Sequence, residues 1–573
     1  MEPATAICFL ITLIAGIVCY GLFINRGVGL PILGYDIAPA ERVMQGEVPY
    51  RDFIYNYTPG VLWLNAALMR VFGTRLITIN AGLFVFKLAT LIALYQAARR
   101  LTTPRAALIP VALALSWVGY RVVLRPYPAQ YSMLFVILGL IFLLNYDKTE
   151  KVRWLSLCGA AVGVVFLFKQ NVGLLLIVLV TAGVFAREML VRSDLPEWRD
   201  RAIVGLKRAS FSLIGFVVIA TALIVYLVRE EALRAMLEHF LSLADEYGEK
   251  RAVMLPRVTL LFPVAIGSLV TVTCAVIALR KAPRLFELFV AFAIALGAIV
   301  LLIPGRGYAI KESATASISY LPPVLLMAVF ARIGWTFNKA RRSAQQRSLW
   351  WRRTAPALMV ALFAFGAYSE VYPRADYAHL VRILPLTFLL LFLAAGETNH
   401  LLTAHFRDRL QSPRRAALMC VGAPLLLLFA VGIKDAWQPR VDSSLRFVEQ
   451  TPLSLERARG IIVGRKQAGF IEHLAATIEA NSSPDDCIFS FAPHGTAFYF
   501  LSARRNPTRL VWWRSAGIKS ADRENLLEKI ERGVPKLVLV AEGFHNDRVI
   551  AYLGARYNHI ETVGNLKVYD RTH

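Results

Sequence analysis

Long apolar segments, separated by short polar loops, fill the first three quarters of the chain. A helix needs about 20 apolar residues to cross the hydrocarbon core of a bilayer, and most of these segments approach that length. They lie near residues 5–24, 77–96, 106–120, 130–146, 154–168, 172–187, 210–228, 258–279, 285–303, 319–337, 354–369, 381–395 and 416–433. The pattern predicts an α-helical polytopic membrane protein with about 13 transmembrane helices.

The pattern changes after residue 433. Short apolar runs then alternate with helical ones, as in "DDCIFSFA", "ENLLEKIERG", "PKLVLVAEG" and "NLKVYD". Alternating strands and helices are typical of a small α/β domain. The sequence therefore predicts a transmembrane domain at 1–433, with a first outer loop at 25–76, and an α/β domain at 434–573. The latter contains no GxGxxG or P-loop motif, so nucleotide binding is not indicated.

The composition agrees with a membrane protein, since 57% of the residues are hydrophobic, 18% are charged, and the mean hydropathy is +0.52. The net charge of +25 would suggest a nucleic-acid partner in a soluble chain. Here, however, Lys and Arg cluster in short loops such as "RRLTTPR" and "NKARRSAQQRSLWWRR", as cytoplasmic loops do. We therefore expect a multi-pass protein of the cell inner (plasma) membrane, with a cytoplasmic amino terminus and no nucleic-acid partner.

This topology has a chemical consequence. An odd number of spans places the α/β domain and the aromatic, acidic loops outside the cytoplasm. Nucleotide-activated substrates are confined to the cytoplasm, so an outward-facing transferase needs a donor already carried across the bilayer, such as a lipid-linked one.

The first outer loop contains "GYDIAPAERVMQGEVPYRDFIYNYTPG", residues 34–60, with Asp36 close behind the first span. A carboxylate at the membrane edge is costly to desolvate unless it lines a polar cavity, which makes Asp36 a functional candidate. Alternatively, Asp36 caps the helix that begins at "IAPAERVMQG". Asp52 presents a similar choice, because it either assists Asp36 or forms a turn in "PYRDF".

This stretch resembles the first outer loop of the GT-C glycosyltransferases, which include the protein O-mannosyltransferases (glycosyltransferase family 39) and the bacterial aminoarabinose transferase. The resemblance rests on Asp36, "GEVPYRDF" (46–53), "YTPG" (57–60) and "YFLSARRNPTR" (499–509). It implies a GT-C fold and transfer of a sugar, with inversion, from a polyprenyl phosphate to the hydroxyl of a glycan, glycolipid or protein acceptor. Asp36 would then be the general base, and Asp52 and Tyr57 would contact substrate.

Such a reaction also needs positive charge to hold the leaving phosphate. Lys169, in "FLFKQNVG", is one candidate, although a Lys at a helix end often extends to the interface instead. The other candidates come from two loops, "PGRGYAIKES" (304–313) and "EVYPRADYAHLVR" (370–382). They are Arg306, Tyr308, Lys311, Arg374, Asp376 and His379. The alternative for both loops is an ordinary turn or a solvated interfacial loop.

The sequence departs from parts of the GT-C pattern. Asp36 is followed by Ile37 and not by Glu, and the second outer loop, "RVVLRPYPAQ" (121–130), contains no acid. These differences argue against the protein mannosyltransferase branch and against a carboxylate-bound divalent metal. We therefore expect no cofactor.

Two other classes compete with a transferase. A transporter or flippase of lipid-linked saccharides would share the span count, but it would normally show internal repeats, which are not evident here. A membrane-anchored binding protein would need only one span.

Overall fold

The computed structural model describes residues 2–117, 125–192, 195, 197–250, 307–341, 343–371, 377–407, 413–437, 450–511, 513 and 519–572. Helices dominate the part before residue 438. Those described there are α1 Pro3–Gly21, α2 Leu30–Ile32, α3 Ala38–Met44, α4 Gly60–Phe72, α5 Leu76–Leu101, α6 Leu108–Trp117, α7 Pro128–Thr149, α8 Arg153–Phe168, α9 Gln170–Val191, α10 Trp198–Arg229, α11 Leu233–Lys250, α12 Gly307–Ala340, α13 Ala344–Tyr368, α14 Tyr377–Phe406 and α15 Pro413–Trp437.

The predicted spans coincide with these helices wherever the chain is described. Among the described residues, seven helices are long and apolar enough to cross a membrane, so the chain is a multi-pass membrane protein. The predicted spans 258–279 and 285–303 lie outside the described residues, and the total of thirteen stays a prediction. One boundary was wrong: the predicted loop 304–313 is helical from Gly307 onward, because α12 begins there.

Helices α8 and α10, which both pack on α9, also pack closely on each other. Helix α10 lies against α8 so closely that a Cβ at Gly159 would be 1.8 Å from the Ser212 carbonyl oxygen. Small residues permit such contacts between membrane helices. At the end of α9, the fully buried Glu188 carboxylate accepts hydrogen bonds from Tyr146 Oη and Arg187 Nη1, both at 2.7 Å. These contacts hold the end of α9 that lies opposite Lys169.

The predicted C-terminal α/β region is confirmed. Its four-stranded sheet has the order β3-β4-β6-β5, in which β3 is parallel to β4 and the other neighbours are antiparallel. A separate two-stranded sheet pairs β1 with β2. The strands are β1 Gln450–Pro452, β2 Ile462–Gly464, β3 Ile488–Ser490, β4 Leu537–Ala541, β5 Tyr557–Val563 and β6 Leu566–Arg571, and the helices are α16 Arg465–Ala480, α17 Ala497–Leu501, α18 Ser520–Glu531 and α19 Asp547–Arg556.

The first outer loop packs against this C-terminal region. Backbone hydrogen bonds join Ile462 N to Asn25 O at 2.7 Å and Ile54 N to Arg509 O at 2.9 Å. Apolar side chains from the loop and from the α/β region form a single buried cluster. The loop therefore folds together with the C-terminal region, although more than 350 residues separate them in the sequence.

The tightest contact in this interface lies at Gly34, two residues before Asp36. A five-residue π-helix, Leu33–Ile37, follows α2 and leads directly into α3. A Cβ on Gly34 would lie 1.9 Å from Oγ1 and 2.3 Å from Cβ of Thr496, the residue before α17. Only glycine leaves room for the π-helix to approach the C-terminal region this closely.

We predict that Gly34→Ala lowers the free energy of unfolding by about 1–3 kcal/mol, because the added methyl group overpacks this contact. Thermal unfolding of the detergent-solubilised protein measures the effect. The matched control is Gly469→Ala in α16, where nothing lies within 4 Å of the new Cβ and the helix should gain about 0.5–1 kcal/mol. Adding Thr496→Gly to the first variant should restore part of the loss. A Gly34→Ala protein as stable as the wild type would contradict the close approach.

Candidate functional site

Asp36 lies in the π-helix, and its carboxylate is buried, with 3% of the residue exposed. The Tyr55 hydroxyl donates a hydrogen bond to Asp36 Oδ1 at 3.0 Å. Burial raises the pKa of Asp36 to about 7, although the Tyr55 hydrogen bond and the charges of Arg382 and Lys169 act in the opposite direction. Helix α3 has Ile37 as its N-cap and no side-chain capping bond, so Asp36 does not serve as the helix cap.

The tyrosines of the first outer loop connect Asp36 with Lys169. The rings of Tyr55 and Tyr57 meet edge to face, with centroids 5.8 Å apart. Lys169 Nζ lies 4.1 Å from the centroid of the Tyr57 ring, within the range of a cation–π contact. Tyr50 fixes this arrangement by donating a hydrogen bond to the Tyr57 carbonyl oxygen at 2.5 Å. Asp36 thus contacts the hydroxyl of Tyr55, and Lys169 contacts the adjoining ring of Tyr57.

Lys169 occupies the break between α8 and α9, where its backbone is extended. It is buried, at 7% exposure, and its Nζ lies 3.0 Å from Glu370 Oε2. This ion pair excludes the alternative in which Lys169 extends to the interface. The neighbouring Gln170 holds the break against the first loop, since its side chain accepts a hydrogen bond from Thr58 N and donates one to Asn56 O.

Glu370 and Arg382 complete this group. Arg382 Nη1 donates to Glu370 Oε1 at 2.7 Å, and both residues are buried. Burial alone would raise the pKa of Glu370, but the charges of Lys169 and Arg382 outweigh it and lower that pKa, so the carboxylate is ionised. The guanidinium also lies 3.9 Å from the centroid of the Tyr127 ring. We call Lys169, Glu370 and Arg382 the ion triad.

A small cavity of about 50 Å³ adjoins the ion triad and is lined in part by Arg382, Gln130, Tyr20 and Lys87. Lys87 comes from the middle of α5, is 8% exposed, and has its Nζ 5.5 Å from the centroid of the Tyr20 ring. Arg382 Nε is buried and has no hydrogen-bond partner among the described residues. The cavity therefore has two basic side chains, Lys87 and Arg382, on walls that also include Met133, Val381 and Pro385.

Three of the predicted site residues, Asp36, Tyr57 and Lys169, come together in this arrangement. Asp52 does not join them. Its Oδ2 accepts a hydrogen bond from Val48 N at 2.7 Å, and its carboxylate pairs with Arg51, whose hydrogen bond lowers the pKa of Asp52. Asp52 therefore forms the turn in "PYRDF".

The remaining predicted residues divide into three groups. Arg306, Arg374 and Asp376 lie outside the described residues. Tyr308 and Lys311 belong to the first turns of α12, but their side chains also lie outside the described part. His379 was predicted in a loop, yet it lies in the first turn of α14, where its charge contributes to lowering the pKa of Glu370.

The sequence reasoning missed Lys87, Glu370 and Arg382. Lys87 interrupts the apolar middle of α5, and an ionisable residue in such a place is a functional candidate inside a membrane. Glu370 and Arg382 are the first and last residues of the segment "EVYPRADYAHLVR". The predicted site residues of this segment lie between them. Among the described residues no group of three His, Cys, Asp or Glu side chains is placed to hold a metal ion.

The chain is similar to a known protein family over part of its length and to several solved structures. The family model described as dolichyl-phosphate-mannose-protein mannosyltransferase matches residues 56–199. None of the curated proteins matches the sequence. Among solved structures, ArnT from Cupriavidus metallidurans bound to undecaprenyl phosphate is similar, with a TM-score of 0.53 at 14% identity over 99% of this chain and 98% of ArnT. The Archaeoglobus fulgidus oligosaccharyltransferase tethered with an acceptor peptide has a TM-score of 0.49 at 10% identity, over 100% of this chain and 74% of that one.

A TM-score of 0.53 at such low identity establishes a shared fold, and the lower score adds nothing to it. The predicted fold class, a helical membrane domain with a small C-terminal α/β region, is confirmed. The family-model match covers residues 56–199 and shows a likeness to that family over this part of the chain. Fold alone does not assign chemistry, so the reaction must be argued from the site.

Proposed function

We propose that this protein transfers a sugar from a polyprenyl-phosphate donor to an acceptor hydroxyl on the outer face of the membrane, with inversion and with Asp36 as general base. The proposal rests on one observation. Asp36, a buried carboxylate with a pKa of about 7, and Lys169, a buried cation that shares Glu370 with Arg382, contact the adjoining tyrosines Tyr55 and Tyr57. Base and cations are the two requirements of this displacement.

At the acceptor end, the hydroxyl oxygen attacks the anomeric carbon while its proton passes to Asp36. A hydroxyl is a poor nucleophile until its proton is being removed, and a base is most effective when its pKa is close to the working pH. Asp36 meets this condition because burial has moved its pKa upward. The Tyr55 hydroxyl orients the carboxylate by donating to Oδ1, which leaves Oδ2 for the substrate proton.

At the donor end, the bond between the anomeric carbon and the phosphate oxygen breaks, and its electron pair stays on the phosphate. The phosphate then carries a second negative charge, which Arg382, Lys169 and Lys87 are placed to stabilise. No general acid is required, because the leaving phosphate is a weak base. ArnT, which shares the fold, was crystallised with undecaprenyl phosphate, and this supports a polyprenyl phosphate as the carrier here.

The acceptor is a glycan, a glycolipid or a protein, and we place its approach on the side of the α/β region. That region packs directly on the π-helix through Gly34 and Thr496. The Lys- and Arg-rich loops support a cytoplasmic location for the opposite face and an inner-membrane location for the protein. The missing acid in the second outer loop supports a reaction that uses no carboxylate-bound metal.

We predict that Asp36→Asn reduces kcat by about 10²–10⁴-fold, because the amide keeps the size of the side chain but cannot accept the proton. The assay follows radiolabelled sugar from a polyprenyl phosphate to acceptors in a membrane extract. Asp52→Asn in the same loop is the matched control and should stay within a few-fold of wild type. Transfer by Asp36→Asn at the parental rate would remove Asp36 as the base. If the wild-type protein moved the lipid-linked sugar across vesicles without releasing polyprenyl phosphate, it would be a flippase.

We predict that kcat/KM falls as the pH drops through about 7, because Asp36 becomes protonated and loses its function as a base. Tyr55→Phe should move this acid limb to higher pH. The Tyr55 hydrogen bond favours the ionised carboxylate, so its loss raises the pKa of Asp36. Tyr50→Phe is the control, because the Tyr50 hydroxyl bonds the backbone and not the acid. An acid limb near pH 4 in the wild type would contradict the elevated pKa.

A further inference from the structure

Glu370 is the one residue of the ion triad whose charge opposes the binding of a phosphate. Its Oε1 accepts a hydrogen bond from Arg382 at 2.7 Å, and its Oε2 lies 3.0 Å from Lys169 Nζ. Glu370 therefore contacts one cation with each of its two carboxylate oxygens.

All three members of the triad are shielded from water, with side-chain exposures of 9% for Lys169, 2% for Glu370 and 3% for Arg382. Charges in such a place interact strongly, because little solvent lies between them. The two cations and one carboxylate add up to one net positive charge. This count for the triad, and not the number of its cations alone, determines which anions the triad binds best. Lys87 lies on the cavity wall against Tyr20 and is the same in every variant compared below.

The two lipids of the proposed reaction differ in charge. The sugar donor is a phosphodiester with one negative charge, whereas the product is a phosphate monoester with about 1.5 to 2 negative charges near neutral pH. A site with one net positive charge matches the donor. A site with two would match the product and retain it after transfer.

We propose that Glu370 is a counter-ion that sets the charge of the site to match the donor and thereby limits the affinity for the polyprenyl-phosphate product. This inference rests on the proposed function, since it assumes that a polyprenyl phosphate binds at the triad. Glu370 is a positioning residue in this scheme. It orients Arg382 and Lys169 and does not contact the reacting atoms.

The test compares the Kd of polyprenyl phosphate for four full-length proteins in nanodiscs. The net charge of the triad is +2 in Glu370→Gln and +1 in the wild type. It is +1 in the double variant Lys169→Met with Glu370→Gln, and zero in Lys169→Met. We expect affinity to follow this order, with Glu370→Gln binding about tenfold more tightly than wild type. The double variant should bind about as tightly as wild type and more tightly than Lys169→Met.

In the same series, kcat of Glu370→Gln should fall and KM for the donor should fall with it, because slower product release lowers both and leaves kcat/KM unchanged. The matched control is Glu397→Gln, which removes an acid paired with Arg332 in another part of the chain and should leave Kd unchanged. Equal or weaker product binding by Glu370→Gln would overturn the role of Glu370. If Glu370→Gln does not fold, the comparison of the double variant with Lys169→Met still tests the role of Glu370. Equal affinities of these two proteins for polyprenyl phosphate would overturn that role as well.

The failure of the proposed function gives a different result. If the wild-type protein binds no polyprenyl phosphate, the lipid-linked donor is wrong, and the inference about Glu370 falls with it. If the wild-type protein binds the lipid and only the predicted order is absent, the proposed function stands and the counter-ion role alone is overturned.

Discussion

A charge can be buried at the edge of a membrane only when an opposite charge or directed hydrogen bonds compensate it, and this constraint governs both ends of helix α9. At its start, Lys169 pairs with Glu370, which also holds Arg382. At its end, Arg187 pairs with Asp147 of α7 at 2.7 Å, and the fully buried Glu188 pairs with Arg208 of α10 at 3.2 Å. Ionic contacts with other segments therefore fix α9 at both ends, and the cation of the site is held by the same contacts that hold the helix.

The carboxylate of the site depends on a different part of the chain. Helices α2 and α3 and the π-helix between them are too short to be stable alone, since isolated helices below about 12 residues are marginal in water. Packing against the C-terminal region supplies the missing stability, through the Gly34–Thr496 contact and the ion pair between Glu41 and Arg457 at 2.7 Å. The α/β region is thus part of the scaffold that positions Asp36.

The sequence predicted what periodicity and local patterns encode. Apolar segments of the right length located the membrane helices, and the alternation after residue 433 located the sheet. The position of Asp36 behind the first span identified it as a candidate, but nothing local separated it from Asp52, which belongs to a turn. The difference arises from burial, and burial depends on contacts with Tyr55 and the distant Thr496.

The cations show the same limit more strongly. Glu370 and Arg382 are 12 residues apart on either side of a helix start, and Lys169, the other partner of Glu370, lies some 200 residues earlier. No spacing rule links three such positions, because the link is made by packing of α9 against α13, which in turn packs against α14. A basic residue was expected near the phosphate, but its carboxylate partner was not, since a site for an anion gives no reason to look for an acid.

The two carboxylates of the site, Asp36 and Glu370, have different partners. Asp36 and Glu370 are both buried and both interact with the charges of Lys169 and Arg382, yet their pKa values move in opposite directions. Glu370 touches Lys169 and Arg382 directly, so their charges outweigh burial and keep it ionised. Asp36 accepts its hydrogen bond from a neutral tyrosine, and the charges of Lys169 and Arg382 lower its pKa less than burial raises it. Such divergence separates roles in enzymes with paired acids. The chain thus places the acid that exchanges a proton on the aromatic side and the acid that keeps its charge among the cations.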